Sequence, residues 1–349
     1  MPERKPAELI PVIAITGYLG AGKTSLLNHV LRTPQARIGV VINDFGDINV
    51  DASLVSGQID EPASIAGGCI CCLADDGELD AALTRLADPR LRLDAIIIEA
   101  SGLADPVSLA RMVGFSEVAG VRDGGVIDVI DAVTHFVMVD DGGVPPARYG
   151  AATLIVVNKL DQLPESDRES TLQRIEDRVR QRNPRAQVVG AIGGSIDPAL
   201  LYDVAAAQDE SGQLSFRDVM FEPTSSGQAD DDAAHDHVHA DAVTVTSDGV
   251  VDPLALVDLL EDPPAGVYRM KGTVAVRQRS STRILVVNVV GSAVHVARAA
   301  AGTPANRLVA IGMHLDTDAV RARLSTALRP TTAPPSAAAS RRVQRYLTR

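Results

Sequence analysis

Residues 12–27, VIAITGYLGAGKTSLL, constrain the fold more tightly than any other stretch of the chain. A β-branched apolar run leads into a glycine-rich turn. The turn opens a segment that sets Leu26, Leu27, Val30 and Leu31 on one helical face. Residues 17–24 fit G-x-x-x-x-G-K-[ST], a pattern that cradles an anion when a strand precedes it and a helix follows, as here. The glycines let the backbone curl so that several N–H groups and a helix N-terminus face one point. The phosphate-holding residues are then Gly17, Tyr18, Leu19, Gly20, Ala21, Gly22, Lys23, Thr24 and Ser25. Lys23 would reach the β- and γ-phosphates, and the Thr24 hydroxyl would ligate Mg²⁺.

The chain then repeats the strand and helix rhythm. Residues 38–42, 95–99, 125–131, 153–158 and 186–191 are nearly continuous apolar runs, as parallel strands covered on both faces are. Residues 76–87 and 166–183 carry helical spacing between them. This alternation predicts an α/β fold, a doubly wound and mostly parallel P-loop sheet spanning residues 1–221. Residues 222–241 are polar, rich in Asp and His, and read as a linker. Strands and helices resume over 242–328, enough for a smaller α+β domain, and the Pro/Ala/Ser-rich, basic residues 329–349 read as a disordered tail.

Two further signals fall in the order that an NTP switch requires. Residues 95–102 place Glu99 at a strand end, where the acid near the metal stands, and Gly102 three residues on, where a γ-phosphate-sensing glycine stands. Residues 158–161, NKLD, come directly after another buried strand. Asp161 can accept from both the N1–H and the exocyclic amine of guanine, a donor pair that adenine lacks. Lys159 would lie against the base and Asn158 would brace the loop, so the nucleotide is GTP. Lys23, Thr24 and Glu99 are the catalytic candidates.

All three cysteines of the chain, Cys69, Cys71 and Cys72, lie within four residues. Three thiols at C-x-C-C spacing suit a soft or borderline metal, zinc, Cu(I) or cobalt. With no second pair to staple, they describe an open site whose fourth ligand comes from elsewhere. His235, His237 and His239 in the Asp-rich linker form a weaker candidate metal tract. A net charge of -12 argues against nucleic-acid binding. No apolar run is long enough for a membrane span, and clustered reduced thiols point to the cytoplasm.

The order of these parts, with NDFGDINVD at 43–51, GGCICC at 67–72, EASGLADP at 99–106 and VNKLD at 157–161, resembles the CobW family of P-loop GTPases. Residues 268–276 and 306–316 resemble the C-terminal domain of that family. The resemblance implies a cytoplasmic GTPase that handles zinc, with cobalt as the alternative ion, and hands it to a client apo-metalloprotein. It implies a metal site at Cys69, Cys71 and Cys72 between two nucleotide-sensing segments. Asp44 and Asp47 stand where the family commonly has glutamates, with Asp47 the carboxylate beside the thiols. His135 stands where some relatives have a metal-associated histidine. Rival readings are cobalt handling for cobalamin synthesis, a GTP-regulated metal buffer or sensor, and a signalling GTPase with redox-active thiols. The sequence leaves the oligomeric state open, a homo-oligomer included.

Overall fold

The apolar runs become strands because each is buried on both faces. Strand β1 (Ile10–Gly17) is buried from Pro11 onward, and its side chains alternate between two cores. Ile13 and Ile15 join helix α1 (Lys23–Leu31) through Leu26, Leu27 and Val30. Val12 and Ala14 join helix α2 (Gly77–Leu86) through Leu79 and Leu83, and helix α3 (Pro106–Phe115) through Leu109 and Val113. That two-residue alternation on one strand wraps the sheet with helices on both sides.

The computed structural model describes residues 9–32, 36–42, 62–64, 77–102, 105–202, 240–278, 281–300, 302–332 and 335–347. The remaining strands of the first sheet are β2 (Ile38–Ile42), β3 (Pro62–Ser64), β4 (Ala95–Glu99), β5 (Val121–Asp131), β6 (Leu154–Asn158) and β7 (Gln187–Gly190). Their order is β3-β2-β4-β1-β5-β6-β7, and every pairing is parallel. The four-residue helix α4 (His135–Met138) follows β5, and α5 (Glu165–Arg182) precedes β7.

The second sheet is antiparallel, ordered β11-β10-β9-β12-β8, with β8 (Asp241–Thr246), β9 (Val267–Gln278), β10 (Ser281–Val290), β11 (Ala293–Arg298) and β12 (Arg307–Gly312). Helices α6 (Pro253–Glu261) and α7 (Thr317–Ala327) bury Leu256, Leu260, Val320 and Leu324 against it. Tyr268, Val290 and Met313 of this unit lie in the core that holds α1, and the Tyr268 hydroxyl lies 3.2 Å from Thr153 Oγ1. The two sheets therefore share buried contacts.

The tail corrects an expectation. Residues 329–349 read as disordered, yet Ala337–Tyr346 form helix α8. Ser336 caps it by accepting from the Ala339 amide at 3.0 Å, and Val343 is buried in the second core. Arg342 reaches Asp258 at 2.6 Å and the Tyr346 hydroxyl donates to Glu261 at 2.9 Å. Alanine is the strongest helix former, so an Ala-rich segment with a cap and one apolar anchor orders once α6 lies beside it. Of the linker at 222–241, Ala240 and Asp241 are described and Asp241 begins β8; the rest lies outside the described residues. Among the described residues, no helix is long and apolar enough to cross a membrane.

Candidate nucleotide site and its neighbours

The phosphate loop is shaped by what it must touch. Gly22 adopts φ 105°, and a Cβ there would lie 2.1 Å from Asn158 Nδ2. No other residue type satisfies both the backbone conformation and that approach. Lys23 is buried, and its Nζ donates to the carbonyls of Gly17 at 3.2 Å and Tyr18 at 3.4 Å. Its ammonium is thus folded back over the loop it would share with a phosphate. Thr24, Ser25 and the rest of the first turn of α1 present the helix N-terminus, where amides lack intrahelical partners.

Parallel pairing brings Glu99 to this loop. β4 lies beside β1 with Glu99 opposite Ile15, so the strand ends just beneath the turn. The Thr24 hydroxyl donates to Glu99 Oε1 at 2.7 Å, and Glu99 is buried. Gly102 lies against the loop too: a Cβ on it would come 2.7 Å from the Leu19 amide nitrogen. Of the residues singled out in the sequence, the structure sets Thr24 on Glu99, folds Lys23 over the loop and brings Gly102 against Leu19.

The NKLD segment at 158–161 is joined to the phosphate loop by one side chain. Asn158 is buried, and its Nδ2 donates to the Ala21 carbonyl at 3.0 Å while its Oδ1 accepts from the Gly194 amide at 2.9 Å. It therefore braces three loops at once. Lys159 adopts φ 64°, and its Nζ pairs with Asp131 Oδ2 at 2.7 Å. Burial pushes the Asp131 carboxyl up, but hydrogen bonds from Lys159 and from the Val133 amide more than offset it, and the group is held below the usual carboxylate range. Asp161 sits exposed in the short turn Leu160–Gln162, and Arg168 donates to its main-chain carbonyl at 3.3 Å.

Two neighbours were not anticipated. Asp128 on β5 is fully buried; it accepts from Thr16 at 3.0 Å and from Arg148 at 2.8 and 2.6 Å. The Arg148 guanidinium also lies over the Tyr18 ring, 4.2 Å from its centroid, so a strand acid, a distant arginine and the phosphate loop form one chain of contacts. The signal for Asp128 was the pair of acids inside an apolar strand, GVIDVID at 125–131; nothing around Arg148 marks it in the sequence. The second neighbour is a buried relay. The Tyr149 hydroxyl donates to Asp140 at 3.0 Å, so His135 Nε2, 2.6 Å from that hydroxyl, is its donor. Arg178 grips Asp140 at 2.9 and 2.7 Å and holds its carboxyl below the usual range. Burial lowers His135 to about 4, against the pull of Asp140 and Asp128, so the ring is neutral.

The metal candidates divide accordingly. His135 is committed through Nε2 to Tyr149, and among the described residues no three His, Cys, Asp or Glu side chains are grouped to hold an ion. Cys69, Cys71, Cys72, Asp44, Asp47 and the histidines at 235, 237 and 239 lie outside the described residues.

Residues 11–190 match the CobW/HypB/UreG nucleotide-binding domain, and residues 240–328 match the cobalamin synthesis protein cobW C-terminal domain. The chain belongs to the CobW family of P-loop GTPases. Among its relatives is the zinc chaperone CobW of Sinorhizobium sp, 31% identical across 90% of this chain and 96% of that protein. Another is the zinc-regulated GTPase metalloprotein activator 1 of Schizosaccharomyces pombe, 32% identical across 44% of this chain and 39% of that one. The crystal structure of Zn(II)-bound YjiA GTPase from E. coli is similar across 92% of this chain and 99% of that one, at 22% identity and a TM-score of 0.40. The CobW family nucleotide-binding domain ends at the last residue of β7, and the family C-terminal domain begins one residue before β8, so α8 lies beyond both.

Proposed function

We propose that this chain is a GTP-hydrolysing metallochaperone that takes up Zn²⁺ through Cys69, Cys71 and Cys72 and passes it to a client apo-metalloprotein. The hydrogen bond between Thr24 and Glu99 carries the nucleotide half of this reading. It puts a hydroxyl and a carboxylate at the mouth of the phosphate loop, an all-oxygen donor set that suits Mg²⁺. Bound there, Mg²⁺ would neutralise charge on the β- and γ-phosphates. The Lys23 ammonium would leave its two carbonyls for phosphate oxygens, and Asp161 would select guanine through its paired donors.

Strand topology supports the metal half. β2 ends at Ile42 opposite Glu99, and β3 ends at Ser64 opposite Ile42. Asp44 follows the end of β2 by two residues and Cys69 follows the end of β3 by five, so both candidate ligand segments are tethered in sequence to neighbouring strands whose ends lie next to Glu99 and Ile42. Ordering of the first by GTP would change the ligand geometry of the second, and by reciprocity zinc would change GTP affinity. The relative named as a zinc chaperone, matched along almost its whole length, favours zinc over cobalt. Thiols that must stay reduced favour the cytoplasm.

The test compares zinc affinity of the wild type and Cys71→Ser with GTP and Mg²⁺ and with GDP, alongside GTP turnover. The expected result is nucleotide-dependent zinc affinity that Cys71→Ser abolishes. Equal zinc affinity in both nucleotide states would refute the coupled chaperone. Transfer of ⁶⁵Zn to an apo-metalloprotein separates delivery from storage.

A further inference from the structure

The first sheet ends in β7, and that edge is open among the described residues. β7 pairs with β6 on one side and is last in the strand order. The Gln187 amide donates to Thr153 at 3.2 Å and the Ala191 amide to Val157 at 2.8 Å, which fixes those residues toward β6. Alternation along a strand then turns the N–H and C=O groups of Val188 and Gly190 the other way. Among the described residues, no backbone hydrogen bond reaches them. β7 also carries none of the lysines or prolines that usually guard a free edge.

The edge faces a cleft of about 720 Å³ between the two sheets. Leu160 and Leu172 line one wall beside Glu176 and Arg180, and Pro264 and Met313 of the second unit line the other beside Asp262 and Asp316. Val188 packs with the core on the α5 side, and Val189 with the core that includes Met313, so each wall continues one face of β7. A flat-lying ligand would leave the main-chain groups of Val188 and Gly190 unmatched, whereas an extended polypeptide supplies donors and acceptors at the same spacing.

We propose that this cleft binds a short extended segment of a partner polypeptide, which adds to β7 as a further strand. The four residues of β7 offer about 13 Å of edge at ~3.3 Å per residue. Because each wall mixes apolar and charged side chains, the recognised segment is a short extended run whose apolar residues are flanked by polar or charged ones. Its occupancy bears on the base reader. A Cβ on Gly190 would lie 2.6 Å from Leu160, the residue between Lys159 and Asp161, so the packing there has no slack. Ile192 and Ser195 line the cleft from the loop that Asn158 holds through the Gly194 amide. That the partner is the metal-accepting client rests on the proposed function; the strand site does not.

The experiment pans a phage-displayed library of random linear dodecapeptides on the full chain with GDP bound, then measures a selected synthetic peptide by fluorescence polarisation. The selected sequences should share apolar residues flanked by polar or charged ones. N-methylation of alternate peptide amides should weaken binding at least about tenfold, while methylation at the intervening amides should not. Val188→Pro removes an outward amide and spares the ladder to β6, so it should cost the same factor and leave GTP turnover without peptide within about twofold. On the wild type, bound peptide should slow hydrogen exchange at Val188 and Gly190. A library that yields no binder, or binding indifferent to both N-methylation and Val188→Pro, overturns the proposal. So does protection of those amides without peptide, lifted by dilution or by excision of residues 222–239, since a second copy or the chain's own Asp/His-rich segment would then be the occupant.

Discussion

Arg148 closes a two-pronged ion pair on Asp128, 2.8 and 2.6 Å long, with the carboxylate fully buried and the guanidinium side chain 11% exposed. Desolvation opposes the charge on Arg148, but the Asp128 hydrogen bonds outweigh it and raise the group above its ordinary value. Removing one partner strands the other charge, which typically costs about 3–5 kcal/mol. Asp128→Ala should therefore lower the unfolding free energy by ~3 kcal/mol in urea titrations. Arg148→Met keeps much of the stem packing but leaves the fully buried Asp128 carboxylate without its cation, so it should cost at least as much in stability and also weaken GTP binding, because Tyr18 loses the cation above its ring.

Glu99→Gln tests the oxygen pair at the phosphate loop. Gln keeps the size of the side chain and can still accept from Thr24, but it removes the negative charge that would meet Mg²⁺ under the proposed function. GTP affinity measured without Mg²⁺ should change little. The gain in affinity on adding Mg²⁺ should shrink, and GTP turnover should fall roughly tenfold or more. Equal turnover would remove Glu99 from the site.

Asn158 and Asp161 separate bracing from reading. Asn158→Ala leaves the Ala21 carbonyl and the Gly194 amide without their side-chain partner, at about 1–3 kcal/mol. Both stability and affinity for GDP should drop, and calorimetry would record them together. Asp161 is exposed, so Asp161→Asn should leave stability within about 0.5 kcal/mol. It should instead shift preference from GTP toward xanthosine triphosphate, whose ring presents a carbonyl where guanine presents the amine.

His135 sets a pH dependence whose sign can be worked out. The unfolded histidine takes a proton near 6.5, the folded one only at about 4, chiefly because burial disfavours the cation. Between those values the unfolded chain binds more protons, so stability falls as pH drops from 6.5 toward 4 and is fully present above 6.5. Asp140, Asp128, Arg148 and Arg174 face the ring, and the two acids moderate the effect. The loss should be on the order of 3 kcal/mol by pH 4, the two acids' contribution included. His135→Gln should flatten the slope of unfolding free energy between pH 7 and pH 5; an unchanged slope would exclude this ring as its source.

The strands and the phosphate loop were legible because they rest on local patterns: runs of β-branched residues, and a glycine spacing between a strand and a helix. The braces between them were not. Asn158 reaching both Ala21 and Gly194 spans three loops, and Arg148 meets Asp128 across twenty residues. Such pairs depend on which strands become neighbours, and strand order carries no local mark. Helix α3 is a different case. Asp105 caps it by accepting from the Val107 and Ser108 amides, and Pro106 opens it, so the start signal was present but lay in the shadow of the glycine segment before it.

Helix α8 gives the last prediction, since a segment that reads as a tail behaves as part of the second core. Val343 is 2% exposed, and Leu347 bridges to Val296 on the edge strand β11. Full burial of a valine contributes roughly 1.5 kcal/mol or more, while the solvent-screened pairs of Arg342 with Asp258 and Glu261 add little. Deleting residues 336–349 should therefore lower the stability of the second unit by ~2–3 kcal/mol and raise hydrogen exchange in α6 and β11. Arg342→Ala alone should cost only a small part of that, in keeping with the exposure of its ion pairs. GTP turnover should be unchanged by either, because α8 packs on α6 and β11 of the second sheet, away from the phosphate loop. A disordered tail would show none of these effects, so exchange in β11 alone decides between the two descriptions.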